Sequence, residues 1–460
     1  MRTELITLAQ AARWCSGTVA AEYADRAFFG AHIDSRKLRQ GELFICICAE
    51  RDGHVYARAA IERGAAAVLA SKPLDADIPA IYVPDTLLAL QQIARAYRES
   101  LSCKVIGITG SVGKTTTKEM LAAVLGTRYE TLKTEKNFNN ALGLPLMLLR
   151  LRSTTEYAVL EMGMNHFGEL SCLTAIAQPD IALITNIGTM HIENLHSREG
   201  ILQAKLELLE GLRPGGRVLL NGDDDLLSGV AAQYHALIFG SGEACDIRAS
   251  EVQTTPEQTC FTATAFGETF PLVLPVPGVH HVTDALAAVG VGLLCGVTPA
   301  QIQTALAAFE NTAQRQRRME HLGLHIIDDS YNAGPESMRA ALSVLSTLPG
   351  RKIAVLGGML ELGEFAEKAH EEIGAFAATH TQMLFAYGKN SAAYVRGARQ
   401  AGMEYAQDFP THDALYHALI AVLQPGDALL FKGSHGMHME RVLDLLLHEV
   451  DLNGGTMSHG

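Results

Sequence analysis

The sequence predicts an α/β protein of three domains: a small N-terminal α/β domain, a central P-loop-type domain on a mostly parallel sheet, and a C-terminal Rossmann-like domain. Three observations carry this reading. The chain has 460 residues, 48% of them apolar, too long for one hydrophobic core and rich enough to fill several. Apolar runs of strand length alternate with helical stretches along the chain, the pattern of parallel strands joined by crossover helices. Finally, the strand-like Val105–Ile108 runs through a glycine loop into a helix that opens at Lys114.

Residues 1–84 read as the small unit. Leu43–Cys48 is strand-like, a helix is expected from about His54 to Arg63, and strands at Ala66–Ala70 and Ile81–Val83. Cys46 and Cys48 are expected on one face of the first strand, as packing residues. Asp34-Ser35-Arg36 and Asp52-Gly53-His54 stand out as polar clusters at loop positions. On the residues alone, the second is a turn and Arg36 a surface charge.

Residues 85–313 hold the glycine loop. Asp85 caps a helix running to about Ser100. Gly110, Ser111, Val112 and Gly113 then lead into Lys114, Thr115 and Thr116. Such a loop turns backbone N–H groups toward a polyphosphate, and the helix N-terminus adds positive potential. Lys114 would reach the β/γ-phosphates and the Thr115 hydroxyl would hold Mg²⁺. The common G-x-x-x-x-G-K-[ST] spacing is not met, because position 108 is Ile and the earlier glycines are Gly107 and Gly110. Gly-Lys-Thr-Thr at a strand-to-helix junction nonetheless favours a nucleoside triphosphate over an empty turn. Asn137-Phe-Asn-Asn140 follows, then Tyr157–Glu161, a strand ending in a carboxylate. Ligands gather at that edge of a parallel sheet, so Glu161 is either a metal ligand or a charge meeting solvent. Ile181–Thr185 is a buried-strand run, followed by Asn186, Gly188 and His191. On the residues alone, His191 is a satisfied polar group and Lys205 an ordinary helix-surface lysine. Arg217–Asn221 is a further strand, and Gly278-Val-His-His281 opens an alanine-rich helix.

Residues 314–460 form the third unit. Strands are expected at Leu324–Asp329, Arg351–Gly357, Met383–Tyr387 and Asp427–Lys432, with Arg315–Arg318 a basic surface run. The Gly-rich polar tail after Asp451 is expected to be disordered. A net charge of -13 argues against a nucleic-acid motor, which shows a basic face. No apolar run approaches the ~18 residues of a membrane span; Ala285–Val297 is short and broken by glycine. Met1-Arg-Thr-Glu-Leu-Ile lacks a signal-peptide core, and the eight cysteines show no C-x-x-C pair. A cytoplasmic protein with reduced thiols is expected.

Together the motifs resemble the Mur ligase family over nearly the whole chain and in the family's order. The D-S-R and D-G-H signatures match Asp34–Arg36 and Asp52–His54, T-G-x-x-G-K-T-[TS] matches Thr109–Thr116, and N-x-N-N-x-x-G-x-P matches Asn137–Pro145. L-E-M-G matches Leu160–Gly163, T-N-I-G-x-x-H matches Thr185–His191, and A-K-x-E matches Ala204–Glu207. I-D-D-S-Y-N-A matches Ile327–Ala333, M-L-E-L-G-E matches Met359–Glu364, and K-G-S matches Lys432–Ser434. The last three resemble the branch that adds D-alanyl-D-alanine to UDP-N-acetylmuramoyl-tripeptide.

The resemblance implies an ATP-dependent amide ligase working through an acyl phosphate. It implies that Ser35, Arg36, Asp52 and His54 bind the UDP precursor. It assigns ATP to Gly110, Ser111, Val112, Gly113, Lys114, Thr115, Thr116, Asn137, Asn140, Arg315, Asp329 and Asn332. It implies two Mg²⁺ positions, open to Mn²⁺, one held by Thr115 and Glu161 and the other by His191 and a carbamate on Lys205. Lys114, Glu161, His191 and Lys205 are the implied catalytic residues. From charge and apolar patterning no nucleic-acid or integral membrane contact is expected, and a monomer is expected because nothing in the sequence demands an oligomer. Rivals of the same architecture are a sister Mur ligase and a folylpolyglutamate synthase-like amide ligase; a slow ATP-hydrolysing regulator is the rival of another class. The chain departs from the family pattern at Gln314, Gly334, Gly358 and His435, where glycine, asparagine, aspartate and a cation are usual.

Overall fold

The computed structural model describes residues 4–74, 77–311 and 314–449; the tail after Asp451 lies outside the described residues. Besides a two-stranded ribbon, Ile6–Thr7 with Ala27–Phe28, the strands form three larger sheets. The first runs Thr18–Val19, Ala80–Tyr82, Ala67–Ala70, Leu43–Ile45, Ala31–His32, and only the first pair is antiparallel. Its middle strands are buried throughout, which is why they read as apolar runs without alternation. The strand at Leu43 stops at Ile45, so Cys46 and Cys48 do not share a strand face. Cys46 is buried, whereas Cys48 is exposed and bridges to Asp52. The expected helix divides into a 3₁₀ turn, Gly53–Tyr56, capped by Asp52, and the helix Ala57–Glu62.

The second sheet has nine strands. Thr131–Lys133, Tyr157–Glu161, Lys104–Thr109, Ile181–Ile184, Arg217–Asn221, Leu237–Gly240 and Ile247–Thr254 are parallel in that order. Lys104–Thr109 sits between Tyr157–Glu161 and Ile181–Ile184, so the glycine loop leaves the sheet flanked by Glu161 and Thr185. Thr259–Ala265 and Glu268–Leu274 extend the sheet antiparallel. Their alternating burial is that of a sheet with one wet face. The sequence reading assigned no strands there.

The third sheet runs Arg317–His321, Leu324–Asp329, Ala428–Lys432, Lys352–Gly357, Met383–Tyr387, Tyr405–Phe409. All pairs but the first are parallel. The run expected as a basic surface patch therefore enters an edge strand at Arg317.

One buried cation ties the helix Thr86–Glu99 to the central sheet. The Arg98 guanidinium has no exposed surface and donates to the carbonyls of Ala177 (3.2 Å) and Gln178 (3.4 Å) and to Asp180 Oδ2 (3.1 Å). The same carboxylate accepts from the Val105 N–H at 2.8 Å. Arg98→Met keeps the apolar stem and removes the donors. It is expected to lower unfolding free energy by about 3 kcal/mol, read by urea denaturation.

Candidate active site

The glycine loop is splinted by the end of the neighbouring strand. Val112 N–H donates to Asn186 Oδ1 (2.9 Å), while Asn186 Nδ2 (3.0 Å) and Thr185 Oγ1 (2.6 Å) donate to the Val112 carbonyl. Ser111 N–H reaches the Asn186 carbonyl at 3.1 Å, and Gly188 N–H reaches Ser111 Oγ at 2.9 Å. Asn221 anchors the splint, donating to the Thr185 carbonyl at 2.9 Å. The fit leaves no room for a side chain at either glycine of the loop. A Cβ on Gly110 (φ +150°) would lie 1.8 Å from Thr185 Oγ1, and one on Gly113 (φ +86°) 2.4 Å from Asp284 Oδ1. Gly113 also needs a backbone conformation that other residues rarely adopt.

The loop opens onto a cavity of about 720 Å³ between the second and third sheets. Lys114 Nζ curls back onto the carbonyls of Gly110 (2.6 Å) and Ser111 (3.1 Å). Burial lowers its pKa to about 8, against the pull of Glu161. Thr115 Oγ1 donates to Glu161 Oε2 at 2.8 Å, and Asn139 Nδ2 donates to Glu161 Oε1 at 3.0 Å. Lys118 Nζ stands 3.9 Å from Glu161 Oε2. Glu161 is only 3% exposed, so it is not a charge meeting solvent. Lys205 is only 2% exposed, so it is no surface lysine. Among the described residues nothing hydrogen-bonds or ion-pairs its amine. Burial, and then the Lys114 ammonium, hold its pKa well below the usual lysine value. Glu207, from the same motif, accepts from the N–H groups of Gly168 (2.8 Å) and Ser171 (3.2 Å) at the start of the helix Glu169–Ala177. His191 lines the cavity, and its Nδ1 hydrogen-bonds the Glu361 carboxylate of the third unit.

The C-terminal wall is built on a buried ion pair. Lys432 Nζ donates to Asp329 Oδ2 (2.6 Å) and to the Asn332 carbonyl (2.9 Å). Burial raises the Asp329 pKa against the opposing pull of Lys432. The Arg315 guanidinium lies 4.3 Å from the centre of the Tyr331 ring. Asn332 Oδ1 accepts from Ala333 N–H at 2.8 Å.

Three departures from the family pattern have structural readings. Gln314 holds φ +61°, a conformation that favours glycine. A Cβ on Gly358 would meet the Lys389 carbonyl at 2.7 Å, so a side chain there requires the loop to shift. His435 is exposed, its ring 6.0 Å from that of Tyr331.

The two asparagines assigned by motif are placed differently from one another. Asn137 is exposed and does not line the cavity. Asn140 lines it, yet its Oδ1 caps the backbone at Leu142 (3.2 Å) and Gly143 (2.8 Å). The sequence reading gave no role to Asn139, although it lies in the same motif. Asp284 and the two histidines at the start of the helix His280–Leu294 were also missed. Thr117 Oγ1 donates to Asp284 Oδ1 at 2.9 Å, and burial raises that carboxyl to about 7. His280 Nε2, both His281 ring nitrogens and Gln316 Oε1 are buried without a hydrogen-bond partner among the described residues, with His281 Nδ1 standing 3.7 Å from Asp284 Oδ2. A polar triplet at helical spacing in an alanine-rich helix was the available signal.

Ser35, Arg36, Asp52 and His54 lie apart from this cavity. Asp34 pairs with Arg36 Nε and Nη2, both at 2.9 Å, and this holds the Asp34 carboxyl well below the usual range. The Ser35 carbonyl accepts from Arg63 Nη1 at 3.3 Å. Asp52 accepts from Lys72 Nζ and His54 Nδ1, both at 2.6 Å. His54 Nε2 accepts from the Ser71 N–H at 2.9 Å, which places the ring proton on Nδ1. Cys48, Asp52 and His54 cluster closely enough to suggest a metal centre. That proton makes Nδ1 a donor and not a ligand atom.

Residues 108–292 match the Mur ligase middle domain and residues 314–435 the Mur ligase glutamate ligase domain. The chain is 40% identical to the UDP-N-acetylmuramoyl-tripeptide--D-alanyl-D-alanine ligase of Bacillus subtilis, over 96% of this chain and 98% of that one. Among solved structures it is similar to MurF from Acinetobacter baumannii, at 33% identity and TM-score 0.90, covering 98% of this chain and 100% of that one. It is also similar to MurF ligase from Thermotoga maritima in complex with ADP, at 29% identity and TM-score 0.80, covering 91% of this chain and 97% of that one. On this agreement of motif order, fold and sequence, the chain belongs to the Mur ligase family.

Proposed function

We propose that this chain is an ATP-dependent amide ligase that joins D-alanyl-D-alanine to UDP-N-acetylmuramoyl-tripeptide, releasing ADP and phosphate, in peptidoglycan precursor synthesis. The observation that carries this is the splinted glycine loop facing the buried Thr115–Glu161 pair and the unpartnered Lys205 across one cavity. The names of the relatives and the ADP bound to the Thermotoga neighbour support it. Residues 1–84 would hold the UDP precursor, 85–313 ATP, and 314–460 would close over the site.

A carboxylate does not acylate an amine at neutral pH, so the tripeptide carboxylate is first activated. Its oxygen attacks the γ-phosphorus, the bond to the β-bridging oxygen breaks, and ADP leaves. The amine of D-alanyl-D-alanine then attacks the acyl carbon of the acyl phosphate. The amide bond forms, phosphate leaves with the former carboxylate oxygen, and the amine proton is lost. Lys114 exchanges its loop carbonyls for the β/γ-phosphates and stabilises the charge that grows in transfer. The cavity between the sheets keeps water from the acyl phosphate.

The donor set fits the cations the family uses. Thr115 and Glu161 offer hard oxygens for Mg²⁺ or Mn²⁺, with Asn139 orienting the carboxylate. His191 and Lys205 would hold a second ion once the lysine carries a carbamate. A buried amine with a lowered pKa is neutral enough to add CO₂. When bound, the cation neutralises phosphate oxygens and holds reactants in line.

The test is ADP release with UDP-N-acetylmuramoyl-tripeptide, with and without D-alanyl-D-alanine, set beside sister-ligase and folate substrates. Release dependent on both named substrates supports the proposal; release only with another pair reassigns the acceptor. Lys114→Ala is expected to lower kcat by ~10²–10³-fold while leaving UDP-tripeptide affinity unchanged. Equal losses in both would count against the role given to Lys114. Asn186→Ala frees the Val112 N–H and is expected to weaken ATP-analogue binding by about 10-fold, measured calorimetrically. Lys205→Ala is expected to abolish amide formation. Native mass spectrometry of the unaltered protein in bicarbonate should show the added mass of one CO₂, absent from the variant.

A further inference from the structure

The contact between His191 and Glu361 joins two units of the chain, and the proposed function gives Glu361 no role. His191 follows the strand Ile181–Ile184 of the second sheet, and Glu361 follows Lys352–Gly357 of the third. Both hold left-handed backbones, φ +64° and +62°. Non-glycine residues stay in that region where their surroundings over-determine them, as at ligand clamps. The surroundings do so here. Glu336 Oε1 accepts from Thr189 N–H (2.9 Å) and Thr189 Oγ1 (3.0 Å), and the Glu361 carbonyl accepts from Glu193 N–H at 3.4 Å. The third unit thus grips the loop on either side of His191 in the chain, at Thr189 and at Glu193.

We propose that Glu361 is the positioning residue for the second cation site, so that docking of the C-terminal unit orients His191 and couples closure of the cleft to cation binding. The proposal rests on the ligase reading and its second ion. A carboxylate that accepts from Nδ1–H keeps the proton there and leaves the Nε2 lone pair for a cation. Nε2 makes no hydrogen bond or ion pair with a described residue, and the ring lines the cavity that also holds Lys205. Without Glu361 the ring is free to turn and to carry its proton on either nitrogen. The coupling is reciprocal: a cation bound at His191 favours the docked arrangement by the same factor.

The test is Mn²⁺ titration of the full chain with a non-hydrolysable ATP analogue, read by electron paramagnetic resonance without turnover. The unaltered protein is expected to bind two Mn²⁺. Glu361→Ala should weaken the second by ~10-fold or more and leave the first unchanged. Glu361→Gln keeps an acceptor and should recover most of the loss. In a His191→Ala background, adding Glu361→Ala should weaken Mn²⁺ binding no further. Circular dichroism checks that each variant is folded. Unchanged affinity in Glu361→Ala, or a loss that persists without His191, overturns the proposal and leaves the ligase reading standing if the unaltered protein still forms the amide. Absence of both amide and a second Mn²⁺ in the unaltered protein overturns the two together.

Discussion

The splint between Asn186 and the glycine loop is the constraint on which the rest depends. A phosphate cradle works only if its N–H groups already point inward, since ordering a glycine loop on binding would consume much of the affinity. Here the loop is held from behind by Thr185 and Asn186, through Val112 and Ser111. Those side chains sit at the end of the strand next to the loop's own strand. Sheet order therefore decides loop geometry. The neighbour on the other side, Tyr157–Glu161, delivers the carboxylate that meets Thr115.

Around that loop the chain gathers more positive charge than its composition suggests. The net charge is -13, yet Lys114 and Lys118 both stand near Glu161, and the charge of Lys114 acts in turn on the buried Lys205. Burying amines is unfavourable unless something anionic arrives. The lowered pKa values of Lys114 and Lys205 are the sign of that cost. A polyphosphate, or a carbamate on Lys205, would relieve it. The site is thus poised for its ligands at the expense of its own electrostatics, as functional sites commonly are.

The third sheet completes the cavity and does not merely cover it. Asp329, Arg315 and Lys432 form its far wall, and Glu336 and Glu361 hold the loop that carries His191. A reaction in which three separately bound molecules must meet needs such a two-sided enclosure, because the acyl phosphate must meet an amine before water.

The motifs and the alternation of elements were legible in the sequence because each has a local cause. A parallel strand buried on both faces shows as an unbroken apolar run, and a phosphate loop needs its glycines in a fixed order. Strands such as Arg217–Asn221 fall where the pattern places them. Local patterns are silent on what lies far apart in the chain. The antiparallel strands Thr259–Ala265 and Glu268–Leu274 escaped notice because inward positions such as Thr259, Ala263 and Ala265 are small or polar, so that alternating burial leaves little hydropathy signal. On the residues alone Lys205 reads as a surface lysine and Glu161 as either a metal ligand or a charge meeting solvent, and only the fold buries both. Asn139 and Asn137 are indistinguishable by motif, and only packing turns one toward Glu161 and the other toward solvent. The sequence by itself determined the elements and the chemistry they could carry. The tertiary structure decided which groups face one another and at what charge state, because burial and contact are properties of the assembled sheets and of no single segment.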